Sequence, residues 1–347
     1  MPLFTQPPKS ICILRLSAVG DVCNALAAVQ QIQRYWPQTQ ITWLIGKTEL
    51  SLLEGLEGIE FIAVDKKQGW RGIRAIWKTL SHRRFDALLA MQTAFRASIL
   101  SLGIKAKYKI GFGRQRSREM QWLFVNRRIQ DPATPHVVDG FMAFVNELGI
   151  PAAAPVWLLP PSEQDLAFAR QFICPTQKNL IIAPCSSKAE KDWLVERYAE
   201  IANLAHAQGV NVIFCASPAK RELEMVAKIT ALCRFEPTDL AGKTTLKQLA
   251  ALIRLADLVI SPDSGPAHIA TTQNTPVIGL YAYHNPLRTA PYCDLENVVS
   301  VYEENIRKER GKPSSELPWA TKLQKKNLMA EIQVKQVVEK MQKIGII

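Results

Sequence analysis

From residue 11 to residue 150 one pattern recurs: a short β-rich run (ICILRL, QITWLIG, IEFIAVD, FDALLAM), then a polar turn, then a helical stretch. Each helix returns the chain to the edge where the strand began, so the alternation calls for a parallel sheet. The pattern breaks at PAAAPVWLLPP, residues 151–161, whose four prolines can neither continue a helix nor sit centrally in a sheet. It then restarts with NLIIAP, NVIFCAS, DLVISPD and PVIGLYAY, and helices are expected from about Trp193 to Ala207 and from Lys220, Leu246 and Gly265.

The sequence thus reads as α/β, with two doubly wound, Rossmann-like domains at 1–150 and 162–327 and a hinge at 151–161. A chain of 347 residues suits two domains of about 150 residues each. Residues 328–347 carry a last helix, expected to pack back across the hinge, and the charged stretch from Asn305 to Lys326 is expected to be looped.

No run approaches the roughly 18 uninterrupted apolar residues of a membrane span. The start, MPLFTQPPKSICILRLSAVGD, offers no secretory core, so a soluble, cytoplasmic protein is expected. The seven cysteines (Cys12, Cys23, Cys174, Cys185, Cys215, Cys233, Cys293) form an odd set without a CxxC pair and read as reduced core residues. Of the net charge of +12, residues 1–150 carry +9, from 20 Lys and Arg against 11 Asp and Glu. Such a field draws polyanions: nucleic acid, an anionic membrane surface or an acidic substrate.

The residues with chemistry follow the ends of strands, which is where doubly wound sheets bind ligands. Ile11–Leu16 runs into Ser17-Ala18-Val19-Gly20-Asp21 at a helix start. Asp21 is either a functional carboxylate or one stabilised there by the helix dipole. GxGxxG is absent, which argues against a nicotinamide or flavin cofactor. Pro184-Cys185-Ser186-Ser187 leads through Lys188 and Lys191 to Trp193, so hydroxyls, free amides and ammonium groups converge as for a diphosphate. An ordinary capped turn with solvated lysines is the plainer account.

Asp263-Ser264-Gly265-Pro266-Ala267-His268 follows the apolar run DLVIS and opens a helix, with Pro266 suited to its first turn. Gly265 lets backbone approach a ligand, while Asp263 or His268 could bind ribose or phosphate oxygens. The alternative is a capped turn with a structural histidine. There is no Asp-x-Asp and no metal-cage spacing, so no metal is expected. Residues 105–128 hold eight basic side chains against Glu119 alone, with Tyr108, Phe112, Trp122 and Phe124 interleaved. That mixture suits nucleic acid, an acidic acceptor or a solvated face; an acceptor site ranks first because no nucleic-acid module surrounds it.

With these motifs in place, the sequence resembles the lipopolysaccharide heptosyltransferases (glycosyltransferase family 9) along almost its entire length. RLSAVGDV looks like the family's strand-loop-helix start, which implies Asp21 as catalytic base. Ser186 to Trp193 is similar to the donor-phosphate loop, which implies Ser186, Ser187 and Lys191 as donor contacts, with Asp192 and Trp193 completing the match. DSGPAH resembles the donor signature, implicating Asp263, Ser264, Gly265 and His268; the resemblance also implies Glu222 as an adenosine contact, although Lys220-Arg221-Glu222 departs from the family's pattern of an acidic residue shortly after the strand's Pro. MQTAFRAS looks like the acceptor-side loop, implicating Gln92 and Arg96, and Arg114, Arg116 and Arg118 of the basic stretch join that set.

The resemblance implies the GT-B fold, two Rossmann-like domains facing each other across a cleft. It implies inverting transfer of L-glycero-D-manno-heptose from ADP-heptose to a Kdo residue of lipid A, with no cofactor. Acceptor binding falls to the first domain and donor binding to the second. The whole sequence looks most like the heptosyltransferase I subgroup that accepts a single phosphorylated Kdo, with heptosyltransferase II the nearest competitor. Peripheral work at the cytoplasmic face of the inner membrane is implied, and nucleic acid is not an expected partner. A nucleic-acid module would leave DSGPAH and SSKAEKDW without a purpose. An epimerase or phosphorylase on the same fold would need an acid-base pair, and no second carboxylate accompanies Asp21.

Overall fold

The computed structural model describes residues 2–347, and the chain separates into two compact units between Leu158 and Leu159. The first unit holds a six-stranded sheet of β1 (Ser10–Leu14), β2 (Gln40–Gly46), β3 (Ile59–Val64), β4 (Phe85–Leu89), β5 (Ala106–Gly111) and β6 (Arg127–Arg128). Their order is β3-β2-β1-β4-β5-β6, with every pair parallel. Burial follows from that geometry. Central parallel strands carry helices on both faces, so Ile11–Leu14 and Ile41–Gly46 are buried without alternation.

The second unit repeats the plan with β7 (Asn179–Ile182), β8 (Asn211–Phe214), β9 (Thr238–Asp239), β10 (Leu258–Pro262), β11 (Val277–Tyr281) and β12 (Val299–Ser300). The order is β12-β11-β10-β7-β8-β9, again all parallel. In each unit the chain first builds outward on one side and then returns to build on the other. The reversal lies between β1 and β4 in one sheet and between β7 and β10 in the other. A crevice opens at the carboxyl ends of such a strand pair because the flanking crossovers leave in opposite directions.

The segment between the units has no regular secondary structure, and each side of it is held by an amide. Gln30 donates to the Leu158 carbonyl at 2.6 Å and accepts its N–H at 2.8 Å, and in the second unit Gln273 donates to the Leu159 carbonyl at 2.9 Å. The helix Val334–Ile344 packs within the second unit, against the helix Val195–Ala207 and β11, burying Val337 and Met341 in that unit's core.

Two elements were hidden in the charged stretches. β5 lies inside the basic segment 105–128, and a helix, Tyr302–Arg310, occupies the start of the stretch expected to be looped. That helix has little apolar surface but carries Glu303–Arg307 and Glu304–Lys308 pairs one turn apart, which support an exposed helix by a few tenths of a kcal/mol each, about 0.2–0.5. All seven cysteines are free; Cys12, Cys23, Cys185 and Cys215 are buried and Cys293 is exposed.

Candidate active site

In the first unit the reversal crevice is framed by the ends of β1 and β4. Asp21 stands in the first turn of the helix Val19–Tyr35, and its Oδ2 accepts the Ala18 N–H at 3.2 Å, closing the start of the helix. The same oxygen lies 2.5 Å from the Arg15 guanidinium, which also donates to the Met91 carbonyl at 2.7 Å beyond β4 and sits over the Phe141 ring. Arg15 therefore fixes the carboxylate between two strand ends, and Oδ1 takes no part in either contact. Asp21 remains 40% exposed, enough to meet a ligand.

Gln92 fills the matching position after β4. Its Oε1 accepts the Leu16 N–H at 2.6 Å, so its side chain ties the end of β4 to that of β1 next to Asp21. Arg96 is exposed at the start of the helix Phe95–Leu102 and donates to the Lys66 carbonyl at 3.0 Å. Arg114 and Arg118 are exposed as well.

Arg116 departs from the acceptor role expected of it. It is 3% exposed, and its guanidinium donates to the carbonyls of His136 at 2.8 Å and Thr134 at 2.5 Å. Gly140 makes the room: a Cβ there would lie 2.3 Å from Arg116 Nη1. A guanidinium enclosed by backbone carbonyls holds the 114–118 turn to the helix Val137–Leu148 and is not open to an incoming anion.

In the second unit the two motifs expected to bind the donor meet across the reversal between β7 and β10. Lys191 Nζ reaches Asp263 Oδ2 at 2.8 Å and the Asp263 carbonyl at 3.1 Å. His284, just past β11, places Nδ1 2.6 Å from the same carboxylate oxygen. Burial alone would push the Asp263 pKa up, but the His284 hydrogen bond and the Lys191 ammonium outweigh it and hold the carboxyl well below the usual carboxylate range. Asp263 is therefore an anion at neutral pH. An anion repels a diphosphate, so its chemistry is to aim Lys191 and His284 beside the amino terminus of the helix Gly265–Gln273. Ser264 stands at the cap position of that helix, but its hydroxyl shares a hydrogen bond with Ser261 at 2.7 Å and caps no helix N–H; Gly265 and Pro266 form the first turn, and His268 is buried within the helix.

The loop after β7 is closed by its own hydroxyl. Ser186 Oγ donates to the Lys188 carbonyl at 2.7 Å and accepts the Lys188 N–H at 3.2 Å, while its backbone N–H donates to Asp192 at 2.7 Å. Ser186 thus shapes the turn, and Ser187 is the exposed hydroxyl. Burial pushes the Asp192 carboxyl up despite the Ser186 N–H and Arg221, which pairs with Asp192 and donates to the Ser186 carbonyl. Glu222 accepts the Ser217 N–H at 2.9 Å and borders this loop through a long Cys185 Sγ contact to its carbonyl.

Arg15, Arg221 and His284 were not singled out from the sequence. The readable signal for His284 was that His284-Asn285-Pro286 follows an apolar strand and opens a short helix with Asn285 as cap, the same pattern as Ser264-Gly265-Pro266. Among the described residues no group of three or more His, Cys, Asp or Glu is placed to hold a metal ion, and no helix is long and apolar enough to cross a membrane.

The family described as glycosyltransferase family 9 (heptosyltransferase) matches residues 73–320. The lipopolysaccharide core heptosyltransferase OpsX of Haemophilus influenzae is 70% identical over 346 residues, covering 100% of both chains. Among solved structures, a family 9 glycosyl transferase of Veillonella parvula superposes with a TM-score of 0.80 at 23% identity over 99% of this chain and 98% of that one. The heptosyltransferase WaaC of E. coli with ADP superposes with a TM-score of 0.74 at 17% identity over 97% and 100%. At those identities the likeness speaks for the fold, which is GT-B.

Proposed function

Because the chain belongs to glycosyltransferase family 9, the heptosyltransferases, we propose that it transfers L-glycero-D-manno-heptose from ADP-heptose to a Kdo residue of lipid A in the inner core of lipopolysaccharide, the heptosyltransferase I reaction. The observation that carries the donor half of this reading is the convergence of Lys191 and His284 on Asp263 at the start of the helix Gly265–Gln273. That arrangement suits a nucleotide diphosphate. The heptose and an acceptor in the lipopolysaccharide core are supported by the name of the 70% identical relative.

On this reading Asp21 takes the proton of the acceptor hydroxyl as its oxygen attacks the anomeric carbon. The bond from that carbon to the diphosphate oxygen breaks with its electron pair, ADP leaves, and the anomeric configuration inverts. Arg15 keeps the carboxylate turned to the crevice. Charge gathering on the departing diphosphate meets the free amides of the helix start, Lys191, and the hydroxyl of Ser187, which strengthens their hold in the transition state. No metal or organic cofactor has a step in this scheme. Gln92, Arg96, Arg114 and Arg118 face the acidic acceptor, which being a lipid keeps the enzyme at the inner face of the membrane.

The test is transfer by purified protein across a panel of sugar nucleotides and acceptors, with ADP release as readout, and with Asp21→Asn alongside. The variant should turn over at least about a hundredfold more slowly at unchanged ADP affinity, the scale of a lost general base. Near-normal turnover removes Asp21 from the chemistry. Preference for an acceptor that already carries heptose on Kdo replaces this reading with heptosyltransferase II.

A further inference from the structure

Exposed apolar side chains are ordinarily scattered, but in the first unit they gather on loops at one edge of the sheet. Met120, Trp122 and Leu123 are 53%, 49% and 58% exposed on the loop between β5 and β6. Gln121, between them, is 1% exposed; its Nε2 donates to the carbonyls of Ala90 at 2.8 Å and Gln92 at 3.0 Å, and its Oε1 accepts the Phe112 N–H at 3.1 Å. A polar residue is buried as an anchor while its apolar neighbours point to solvent, the inverse of a water-facing loop.

The backbone enforces the inversion. Glu119 and Met120 adopt φ of 45° and 56°, the left-handed region that residues with a Cβ avoid, and Glu119 is held there by accepting the Phe95 N–H at 2.6 Å. The acidic side chain of segment 105–128 is thereby tied to the Phe95 N–H, and the surrounding charge is basic: Arg118, Arg127 and Arg128 are exposed, with Arg128 over the Trp122 ring. The edge continues through Arg96, whose bond to the Lys66 carbonyl joins it to the exposed Lys67, Trp70, Arg71 and Arg74.

We propose that this edge is a membrane-docking surface, in which Met120, Trp122 and Leu123 enter the headgroup region of an anionic phospholipid bilayer while the flanking arginines and lysines bind its phosphates. Two weak signals together give stable anchoring where either alone is marginal. Arginine and tryptophan side by side suit an interface that is wet on one side and apolar on the other. The anchor residue Gln121 bonds the Gln92 carbonyl, so docking here sets the acceptor residues directly against the lipid surface. The inference rests on the proposed use of a lipid acceptor but is measured without it.

The experiment is sedimentation of the full chain with vesicles of pure phosphatidylcholine or of phosphatidylcholine with phosphatidylglycerol, for the natural chain and for Met120→Ser/Trp122→Ser/Leu123→Ser. The natural chain should bind the anionic vesicles only and be released at high salt, and the triple variant should bind at least about tenfold more weakly. The variant should keep full transfer to a deacylated, water-soluble acceptor and lose it on vesicle-embedded acceptor. Equal binding by the two proteins, binding to neutral vesicles, or retention on RNA with none on vesicles overturns the proposal. Failure of transfer with every acceptor, with vesicle binding intact, overturns the proposed function and leaves the docking surface standing.

Discussion

Replacing Arg116 by methionine separates two roles that an arginine in a basic segment could have. Its guanidinium is enclosed, with donors on the carbonyls of His136 and Thr134. Hydrogen bonds to a charged group contribute about 1.5–3 kcal/mol each, and methionine keeps part of the buried stem, so a net loss of about 3 kcal/mol is expected. For a unit of this size that corresponds to a fall of about 6–12 °C in Tm. Arg116→Lys should lose most of the same amount, because a point ammonium cannot span both carbonyls as the planar fork does. Gly140→Ala should act alike, since its new Cβ displaces the guanidinium. The assay is calorimetry of the full chain, with donor and acceptor KM measured well below the transition. Both constants should stay within about twofold of the natural chain while stability falls. An unchanged Tm with a tenfold higher acceptor KM would falsify the structural assignment and return Arg116 to the acceptor site.

Lys191→Met should lower kcat by about 10²–10³-fold, the scale of a lost transition-state donor, and a change confined to KM would show that the lysine only binds ground-state donor. Arg96→Gln/Arg114→Gln/Arg118→Gln should raise acceptor KM while leaving ADP affinity alone; equal loss of both contradicts the division of labour between the units. Chelation of divalent ions should leave the transfer rate unchanged, and a collapse restored by added magnesium would require a cation on the diphosphate. Asp263 has a folded pKa held below its unfolded value of about 3.9, so its contribution to stability is present above that value and is lost as pH falls through the folded one. The stability gap between the natural chain and Asp263→Asn should therefore persist as pH falls from 8 to 5 and narrow only in stronger acid, and narrowing as pH falls across that range would refute the assignment.

The two units were legible because central parallel strands are continuous apolar runs and the chemistry follows directly at their carboxyl ends. Asp21 follows β1, Gln92 follows β4, Ser186 and Ser187 follow β7, and Asp263 follows β10. Those four strands are the pairs flanking the two reversals, so motifs some 75 residues apart in sequence, in the sense of the Lys191–Asp263 separation of 72, are brought together by strand order alone. β5 was less legible. Lys105, Lys107 and Lys109 alternate with Ala106, Tyr108 and Ile110 at the period of a strand, but as charges they read as one basic patch.

What stayed hidden depends on residues that no local pattern connects. An arginine at 116 looks like its neighbours at 114 and 118 until Gly140, on the helix Val137–Leu148, supplies the space that buries it. His284 is different in kind, because strand register makes it inevitable. β10 pairs with β11 in parallel, Pro262 opposite Leu280, so Asp263 leaves its strand level with Tyr281 and the segment leaving β11 must pass beside it. A buried carboxylate there needs cationic or hydrogen-bonding partners from neighbouring strand ends. Lys191 comes from the β7 side and His284 from the β11 side, which makes Asp263 the point where three strand ends are fastened before any nucleotide arrives.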